Sequence, residues 1–248
     1  CKTLRRSVKD IVSKEDIDKV HKIIKEGIIQ NHYARDKYGI NPTIRHLGTA
    51  LTLIECFGVD RNMIIAILLY NLCKSDFIQE ELIKNEFGND IAKLIRGLVQ
   101  ISGLYKKRSA LESENYHKLL LTFAEDIRVI IIMTIDRLSI MRMINHHPDE
   151  KFVNDISSES KYLYAPLAHR LGLYKIKSEL EDLSLKYTKR DVYTQIANKL
   201  DQTKDKREEY IDNFITPVKE ALTKAGLKFE IKGRTKSINS IYNKMIKQ

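Results

Sequence analysis

Apolar residues recur along most of the chain at the three- and four-residue spacing of a helix that buries one face. One example of this spacing is the series Ile17, Val20, Ile23, Ile24 and Ile28. Such spacing is typical of amphipathic α-helices. Residues that break helices are rare, since the 248 residues include only 10 Gly and 4 Pro. The pattern therefore predicts a mainly α-helical fold.

Breaks in the pattern divide the chain into separate helices. The predicted helices cover residues 15–30, 43–57, 61–73, 77–86, 89–101, 113–123, 126–145 and 150–170. A charged stretch, KLDQTKDKREEY, opens a further helix that runs to about Ala225. After Gly226, the alternating segment LKFEIKG predicts a short strand. The pattern of apolar and charged residues changes near residues 190 to 200. This change predicts two domains, residues 1–195 and 196–248.

Composition and charge narrow the class of protein further. Hydrophobic residues make up 43% of the chain, enough for a globular core without covalent staples. The three cysteines show no paired spacing, and no segment reaches the roughly 18 apolar residues of a membrane span, so we expect a cytoplasmic protein without membrane contact. The net charge of +10 favours phosphate-bearing partners such as nucleotides or RNA. Because the chain lacks an initial Met and ends inside a motif, we expect it to be a piece of a longer protein.

Two uncommon strings carry a resemblance to a known family. Residues 164–187 read YAPLAHRLGLYKIKSELEDLSLKY, and residues 232–245 read KGRTKSINSIYNKM. The first resembles the signature that joins the two catalytic halves of RelA/SpoT-type enzymes, which make and destroy the alarmone (p)ppGpp of the stringent response. The second resembles the opening of their synthetase half. The resemblance implies a helical HD-type domain, followed by the first helix-strand-helix elements of an α/β nucleotidyltransferase-like synthetase domain.

The resemblance implies a hydrolase metal site built from a His, an adjacent His-Asp pair and a later Asp, which together would hold a Mn-like cation. His46 in PTIRH matches the first His, and Asp136 in TIDRLSIMRM matches the last Asp. Tyr70 and Asn71 stand in place of the His-Asp pair. A protonated phenol and a neutral amide are poor ligands for a divalent cation. We therefore expect this site not to bind Mn.

Three further positions depart from the family pattern. Lys74 and Ser75 replace an acidic pair that would act on the attacking water. Ile140 replaces an Asn that would face the guanine nucleotide. A cation in place of a carboxylate repels a metal ion, and no general base remains. The resemblance therefore implies an inactive hydrolase-like domain that has kept a regulatory role.

The surviving polar residues of this site have a simpler interpretation as well. We expect His46 and Asp136 to be satisfied polar groups of a helical core, with Asp136 paired to a neighbouring arginine such as Arg137 or Arg142. We interpret the acidic residues Glu179, Glu181 and Asp182 as part of an interdomain joint or of a solvated helix face. A helix of mixed charge is the usual explanation for such a run.

The second string indicates a phosphate site. A strand ending at Gly233 and a helix opening around residues 237 to 240 would present free backbone N–H groups beside several cations. The resemblance implies that the ATP-binding residues are Arg234, Lys236, Ser240 and Lys244. Ser237 departs from the family, which often has His at this position.

Together these features predict the amino-terminal region of a (p)ppGpp synthetase. Such an enzyme transfers pyrophosphate from ATP to the 3′-hydroxyl of GTP or GDP and uses Mg. The resemblance implies that the family's catalytic acids lie beyond the second string, so we expect no catalytic residue in this chain. The candidate partners of the parent protein are the ribosome and a regulatory protein. Two alternatives stay open. One is an active Mn-dependent (p)ppGpp 3′-pyrophosphohydrolase with rebuilt ligands, and the other is a non-catalytic helical module that binds RNA, the ribosome or a protein.

Overall fold

The computed structural model describes residues 2–33, 39–104, 126–231 and 235–247. The helices within these residues are α1 (Lys2–Val8), α2 (Lys14–Ile29), α3 (Pro42–Phe57), α4 (Arg61–Lys74), α5 (Glu80–Phe87), α6 (Asn89–Leu104), α7 (Ile127–Met143), α8 (Glu150–Glu159), α9 (Ala165–Arg170), α10 (Tyr174–Thr188), α11 (Arg190–Gln202), α12 (Lys204–Lys224) and α13 (Ile238–Met245). A 3-10 turn (Ile144–His146) follows α7, and a π-helical turn (Ser160–Tyr164) separates α8 from α9. The predicted mainly α-helical fold is confirmed. None of the described helices has the length and apolar composition needed to cross a bilayer.

The predicted helices agree with the observed ones within a few residues at most ends. The predicted helix 150–170 is interrupted by the π-helical turn, and the charged helix ending near Ala225 is two helices, α11 and α12, which meet at Thr203. The predicted helix 113–123 lies outside the described residues. Interruptions of this kind are hard to read from apolar spacing because the periodicity continues across them.

The strand predicted after Gly226 is not formed by those of its residues that the structure describes. Residues 227–231 have no regular secondary structure, and residues 232 and 233 lie outside the described ranges. A strand needs a neighbouring strand to pair its backbone N–H and C=O groups. No strand is found elsewhere among the described residues, so the alternating pattern has no partner with which to form a sheet.

The chain forms two compact units, Cys1–Leu180 and Glu181–Gln248. The two units are defined by the contacts within each of them. The boundary between functional domains at residues 195 and 196 remains a prediction. In the first unit α4 is the central helix, because it packs against α2, α3, α6 and α7. Every residue from Met63 to Tyr70 is buried, as expected of a core helix that is apolar on all sides.

Side-chain caps define where the helices around α4 begin. The Oδ1 atom of Asn41 accepts hydrogen bonds from the first N–H groups of α3, and Pro42 occupies the first turn of this helix. Asp60 caps α4, and Asp126 caps α7. These caps set the starts of α3, α4 and α7, the three helices that carry the candidate site.

The second unit contains α11, α12, α13 and the last turns of α10. Helix α11 packs against both α12 and α13. Ile196 of α11 and Asn239 of α13 are buried, whereas α12 has no buried residue. Helix α13 is therefore held through its contacts with its neighbours, and α12 is a largely exposed helix.

Candidate functional site

Helices α3, α4 and α7 of the first unit bring His46, Tyr70 and Asp136 into one cluster. The His46 side chain is only 1% exposed. Its ring lies 5.0 Å from the ring of Tyr70, measured between centroids. The structure therefore brings together three of the positions that the sequence placed in the hydrolase site.

Arg45 lies at the centre of this cluster, a role that the sequence analysis missed. Its Nη2 atom donates a hydrogen bond of 2.8 Å to Tyr70 Oη and lies 3.4 Å from His46 Nε2. Its Nε atom lies 3.3 Å from Asp136 Oδ1 in an ion pair. The guanidinium group thus contacts all three side chains at once. The available signal was a cationic residue immediately before the histidine of the first motif.

Thr49 completes the surroundings of the Asp136 carboxylate. It lies one helical turn after Arg45 on α3, and its hydroxyl contacts Asp136 Oδ1 at 3.0 Å and the Arg45 carbonyl at 2.9 Å. Asp136 therefore has one cationic and one hydroxyl partner, both from α3. The prediction that Asp136 is a satisfied polar group of a helical core is consistent with this geometry.

The structure pairs Asp136 with Arg45, whereas the sequence analysis expected a neighbouring arginine such as Arg137 or Arg142. Arg137 binds Glu159 at 2.7 Å, and Arg142 binds Glu179 at 2.6 Å. Consecutive residues on a helix point to different sides, and residues six apart do not share a face. Arg137 and Arg142 are therefore directed to other helices, and the partner of Asp136 comes from a distant part of the sequence.

The electrostatics of the cluster keep both rings neutral. The pKa of His46 is lowered to about 3, chiefly by burial and then by the Arg45 cation; Lys74 adds to this shift and Asp136 opposes it. Burial and, secondly, the Asp136 carboxylate raise the pKa of Tyr70 well above its usual value. Tyr70 therefore keeps its phenolic proton at neutral pH. The Nδ1 atom of His46 is buried without a hydrogen-bond partner among the described residues.

These donors do not fit a divalent metal ion. A metal-bound oxygen or nitrogen lies about 2.0 to 2.6 Å from the ion, but the guanidinium of Arg45 already contacts His46 Nε2, Tyr70 Oη and Asp136 Oδ1, so a cation stands beside each of these side chains. Tyr70 contributes only a neutral phenol. In the part of the chain that the structure describes, no group of three His, Cys, Asp or Glu residues is placed to hold a metal ion.

The remaining predicted positions of the hydrolase site lie around this cluster. Asn71 and Ile140 are half-buried, and Lys74 and Ser75 are exposed. The charge of Lys74 reaches the cluster, because it lowers the pKa of His46. Ser75 follows the end of α4, and its hydroxyl donates to the Leu72 carbonyl at 3.1 Å. The observed hydrogen bond of Ser75 therefore stabilises the end of α4.

The predicted ATP-binding residues surround the start of α13 in the second unit. Lys236 and Lys244 are exposed and Ser240 is half-buried, while Arg234 lies outside the described residues. Ser237 is the N-cap of α13, since its hydroxyl accepts a hydrogen bond from the Ser240 N–H at 3.3 Å. This capping role accounts for a serine at a position where the family often has His.

The prediction that the start of α13 presents free N–H groups was wrong. The Asp182 carboxylate of α10 accepts hydrogen bonds from the N–H groups of Asn239, at 2.7 Å, and Ile238, at 3.3 Å. A second polar contact joins Lys189 Nζ to Tyr242 Oη at 2.6 Å. The carboxylate was not expected at the helix start because Asp182 lies more than fifty residues earlier in the sequence.

Comparison with known proteins supports the resemblance. A family model described as an HD domain matches residues 28–174. The chain is similar to a guanosine-3′,5′-bis(diphosphate) 3′-pyrophosphohydrolase of Aquifex aeolicus, with 37% identity over 93% of this chain and 32% of the relative. It is also similar to a GTP pyrophosphokinase of Myxococcus xanthus, with 36% identity over 77% of this chain and 26% of the relative. A pyrophosphohydrolase of the first kind from Borreliella burgdorferi is 31% identical over 98% of this chain and 36% of the relative. The chain thus spans about a third of the length of these relatives.

Proposed function

Because the chain belongs to the HD-domain family and to the RelA/SpoT group, we propose that it is the amino-terminal region of a (p)ppGpp synthetase whose hydrolase-like domain does not hydrolyse (p)ppGpp. The names of its relatives include both a hydrolase and a synthetase. Family membership implies a dependence on metal in general and leaves both activities open for the chain. The choice between them rests on the residues of the hydrolase-like site.

The position of the Arg45 guanidinium carries this proposal. It lies 3.3 Å from Asp136 Oδ1, so the carboxylate already has a cationic partner. At an effective dielectric constant of about 20, a divalent and a monovalent cation about 4 Å apart repel by roughly 8 kcal/mol. A metal ion would therefore have to displace Arg45 before it could use Asp136 and His46. A guanidinium group donates hydrogen bonds only and cannot bind and activate a water as a metal ion does.

The acid that the resemblance expects to take a proton from water is replaced in this site, and the Asp136 carboxylate that remains is paired with Arg45. Lys74 stands where the resemblance expects an acid, and its charge adds to that of Arg45. Tyr70 keeps its proton, because burial raises the pKa of its phenol. His46 is neutral and buried, and therefore has no access to a bulk water. These features support a domain that keeps the helical framework of a hydrolase and has become regulatory.

The synthetase part of the proposal concerns the parent protein. Arg234, Lys236, Ser240 and Lys244 would bind the phosphates of ATP, which would be bound with Mg. GTP or GDP would accept the pyrophosphate on its 3′-hydroxyl, through acids that the family carries beyond this motif. The parent would act in the cytoplasm and could be controlled by the ribosome or by a regulatory protein.

The direct test is incubation of the 248-residue chain with ppGpp and Mn, followed by measurement of released pyrophosphate. The Aquifex aeolicus relative serves as the positive control, and Mn binding is measured separately by calorimetry. We expect no turnover and no saturable Mn binding by the chain. Metal-dependent release of pyrophosphate would overturn the proposal and identify the chain as a hydrolase with rebuilt ligands.

A second measurement separates the other alternative, a module that binds RNA. The chain is titrated with a single-stranded RNA and with ATP at two salt concentrations. Binding to RNA without any preference for nucleotide, and with a strong loss of affinity as salt rises, would support the RNA-binding module. We expect ATP binding that depends on Lys236 and Lys244, because these cations are exposed and lie just before α13 and on it.

A further inference from the structure

The carboxylate of Asp182 lies at the start of α13, the helix that carries two of the proposed ATP-binding residues. We propose that Asp182 is a positioning residue, which fixes the first turn of α13 so that polyphosphate is bound by side chains of this helix and not by its N-terminal N–H groups. This inference rests on the proposed ATP-binding function of the helix. It concerns a residue that the sequence analysis interpreted as part of a joint or a solvated face.

The first turn of α13 has its N–H groups bonded within the chain. Asp182 accepts from Asn239 at 2.7 Å and from Ile238 at 3.3 Å. The N–H of Ser240 is bound by the Ser237 hydroxyl at 3.3 Å. A carboxylate is the strongest kind of acceptor for helix-terminal N–H groups, because it also interacts favourably with the helix dipole. A phosphate group therefore finds no free N–H group in this turn.

The start of α13 is also closed off by packing. Asn239 is only 4% exposed, so its backbone N–H is not open to a ligand from solvent. On the next turn, Tyr242 Oη contacts Lys189 Nζ at 2.6 Å. Residues three apart on a helix lie close to the same face. Asp182 thus holds the backbone of the first turn and Lys189 holds the Tyr242 side chain on the next turn, and together these two contacts fix the rotation of α13 about its own axis.

The opposite side of α13 carries the proposed phosphate-binding groups. Ser240 and Lys244 are four residues apart and share a face. At about 100° per residue, this face lies roughly 150° around the helix axis from Asn239 and Tyr242. Lys244 is exposed, as is Lys236 just before the helix. A polyphosphate can therefore reach Lys236 and Lys244 while Asp182 stays in place, and their alignment depends on the contact that Asp182 makes. The Ser240 hydroxyl lies 2.8 Å from the Ser237 hydroxyl.

The test compares Asp182→Ala with Asp182→Asn in the full 248-residue chain, and Asp191→Asn serves as the charge control. Asp191 is an exposed acid of α11. Two quantities are measured, the amide hydrogen exchange of Ile238 and Asn239 and the affinity for ATP with Mg. For Asp182→Ala we expect exchange to accelerate by at least about tenfold and ATP affinity to fall by about fivefold, the factors that accompany loss of a charged hydrogen bond and of a helix cap.

The conservative variant distinguishes positioning from a charge effect. An asparagine amide can still accept from the Asn239 N–H, so Asp182→Asn should keep most of the protection and an ATP affinity within about twofold of wild type. Asp191→Asn should change neither quantity. Tighter ATP binding by both Asp182 variants would overturn the inference, because the carboxylate would then act only as a repelling charge. Unchanged amide exchange in Asp182→Ala would overturn it as well.

Lys244→Ala tests the underlying ATP assignment separately. This variant should weaken ATP binding without changing the exchange of Ile238 and Asn239, since the Lys244 side chain is exposed. If Lys244→Ala binds ATP like wild type, or if wild type does not bind ATP, the proposed ATP site fails, and the role of Asp182 in ATP binding fails with it. The exchange data would then still report whether Asp182 holds α13, so the two failures are distinguishable.

Discussion

Replacement of Arg45 by Met would remove the cation from the centre of the hydrolase-like cluster and keep much of the side-chain volume. The Tyr70 hydroxyl would lose its 2.8 Å donor, and the Asp136 carboxylate would lose its 3.3 Å ion-pair partner. Thr49 would remain as a partner of Asp136, through its 3.0 Å contact. We expect the variant to be less stable than wild type, because a carboxylate would be left beside apolar core without its counter-charge.

The size of the stability loss in Arg45→Met follows from the solvent exposure of the Arg45–Asp136 ion pair. The Arg45 side chain is 15% exposed and that of Asp136 is 20% exposed. Exposed ion pairs contribute about 0 to 1 kcal/mol, and removal of one partner from a fully buried pair costs about 3 to 5 kcal/mol. An intermediate loss of about 2 kcal/mol is therefore expected, which lowers Tm by roughly 4 to 8 °C in a unit of this size.

The assay is thermal and urea unfolding followed by circular dichroism, with Asp136→Asn and the double variant Arg45→Met/Asp136→Asn as the other corners of a double-mutant cycle. The double variant leaves no unpaired charge. Its loss of unfolding free energy should therefore be smaller, by at least about 1 kcal/mol, than the sum of the losses in the two single variants. Strictly additive losses, or an Arg45→Met variant as stable as wild type, would refute the reading of Arg45 as the resident cation of the site.

Two other predictions concern metal binding and pH. The variant Tyr70→His/Asn71→Asp should show no Mn binding by calorimetry while Arg45 is present. Adding Arg45→Met to this variant should produce measurable Mn binding. Tight Mn binding by the variant that keeps Arg45 would contradict the role given to Arg45. Separately, a hydrogen bond from the Arg61 guanidinium, chiefly, holds the pKa of Asp16 below its ordinary value of 3.8. A depressed carboxyl pKa stabilises the fold above that ordinary value, and the stabilisation is lost as pH falls through the folded-state pKa. Asp16→Asn should therefore be less stable than wild type in urea unfolding at neutral pH, with the difference shrinking below about pH 4; a difference that stays constant over this range would argue against the ion pair as its cause.

The helical framework was readable from the chain because its signals are local. Apolar spacing predicted helices 43–57 and 61–73, and the structure has them at Pro42–Phe57 and Arg61–Lys74. Their ends follow from neighbouring residues, such as the Asp60 cap of α4 and Gly58 after α3. The strand predicted after Gly226 is not formed by residues 227–231, for the opposite reason, since a strand depends on a partner that local alternation does not reveal.

The membership of the hydrolase-like cluster was also predictable in part. Matching motifs placed His46, Tyr70 and Asp136 in one site, and the structure brings them together. The identity of the group between them was not predictable, because the sequence offers several arginines near Asp136 and only packing selects among them. Helix α3 lies against α7, so Arg45, which is distant in sequence, is the arginine that reaches the carboxylate.

The sequence by itself determined the helical class, most helix boundaries and the family, because each depends on residue identity and on neighbours within a few positions. Only the tertiary structure decided which charges meet. Arg45 pairs with Asp136 across two helices, and Asp182 binds the start of α13 from a helix more than fifty residues earlier. Electrostatic and hydrogen-bonding partners act over a few ångströms in space, and that proximity arises from helix packing and not from sequence spacing.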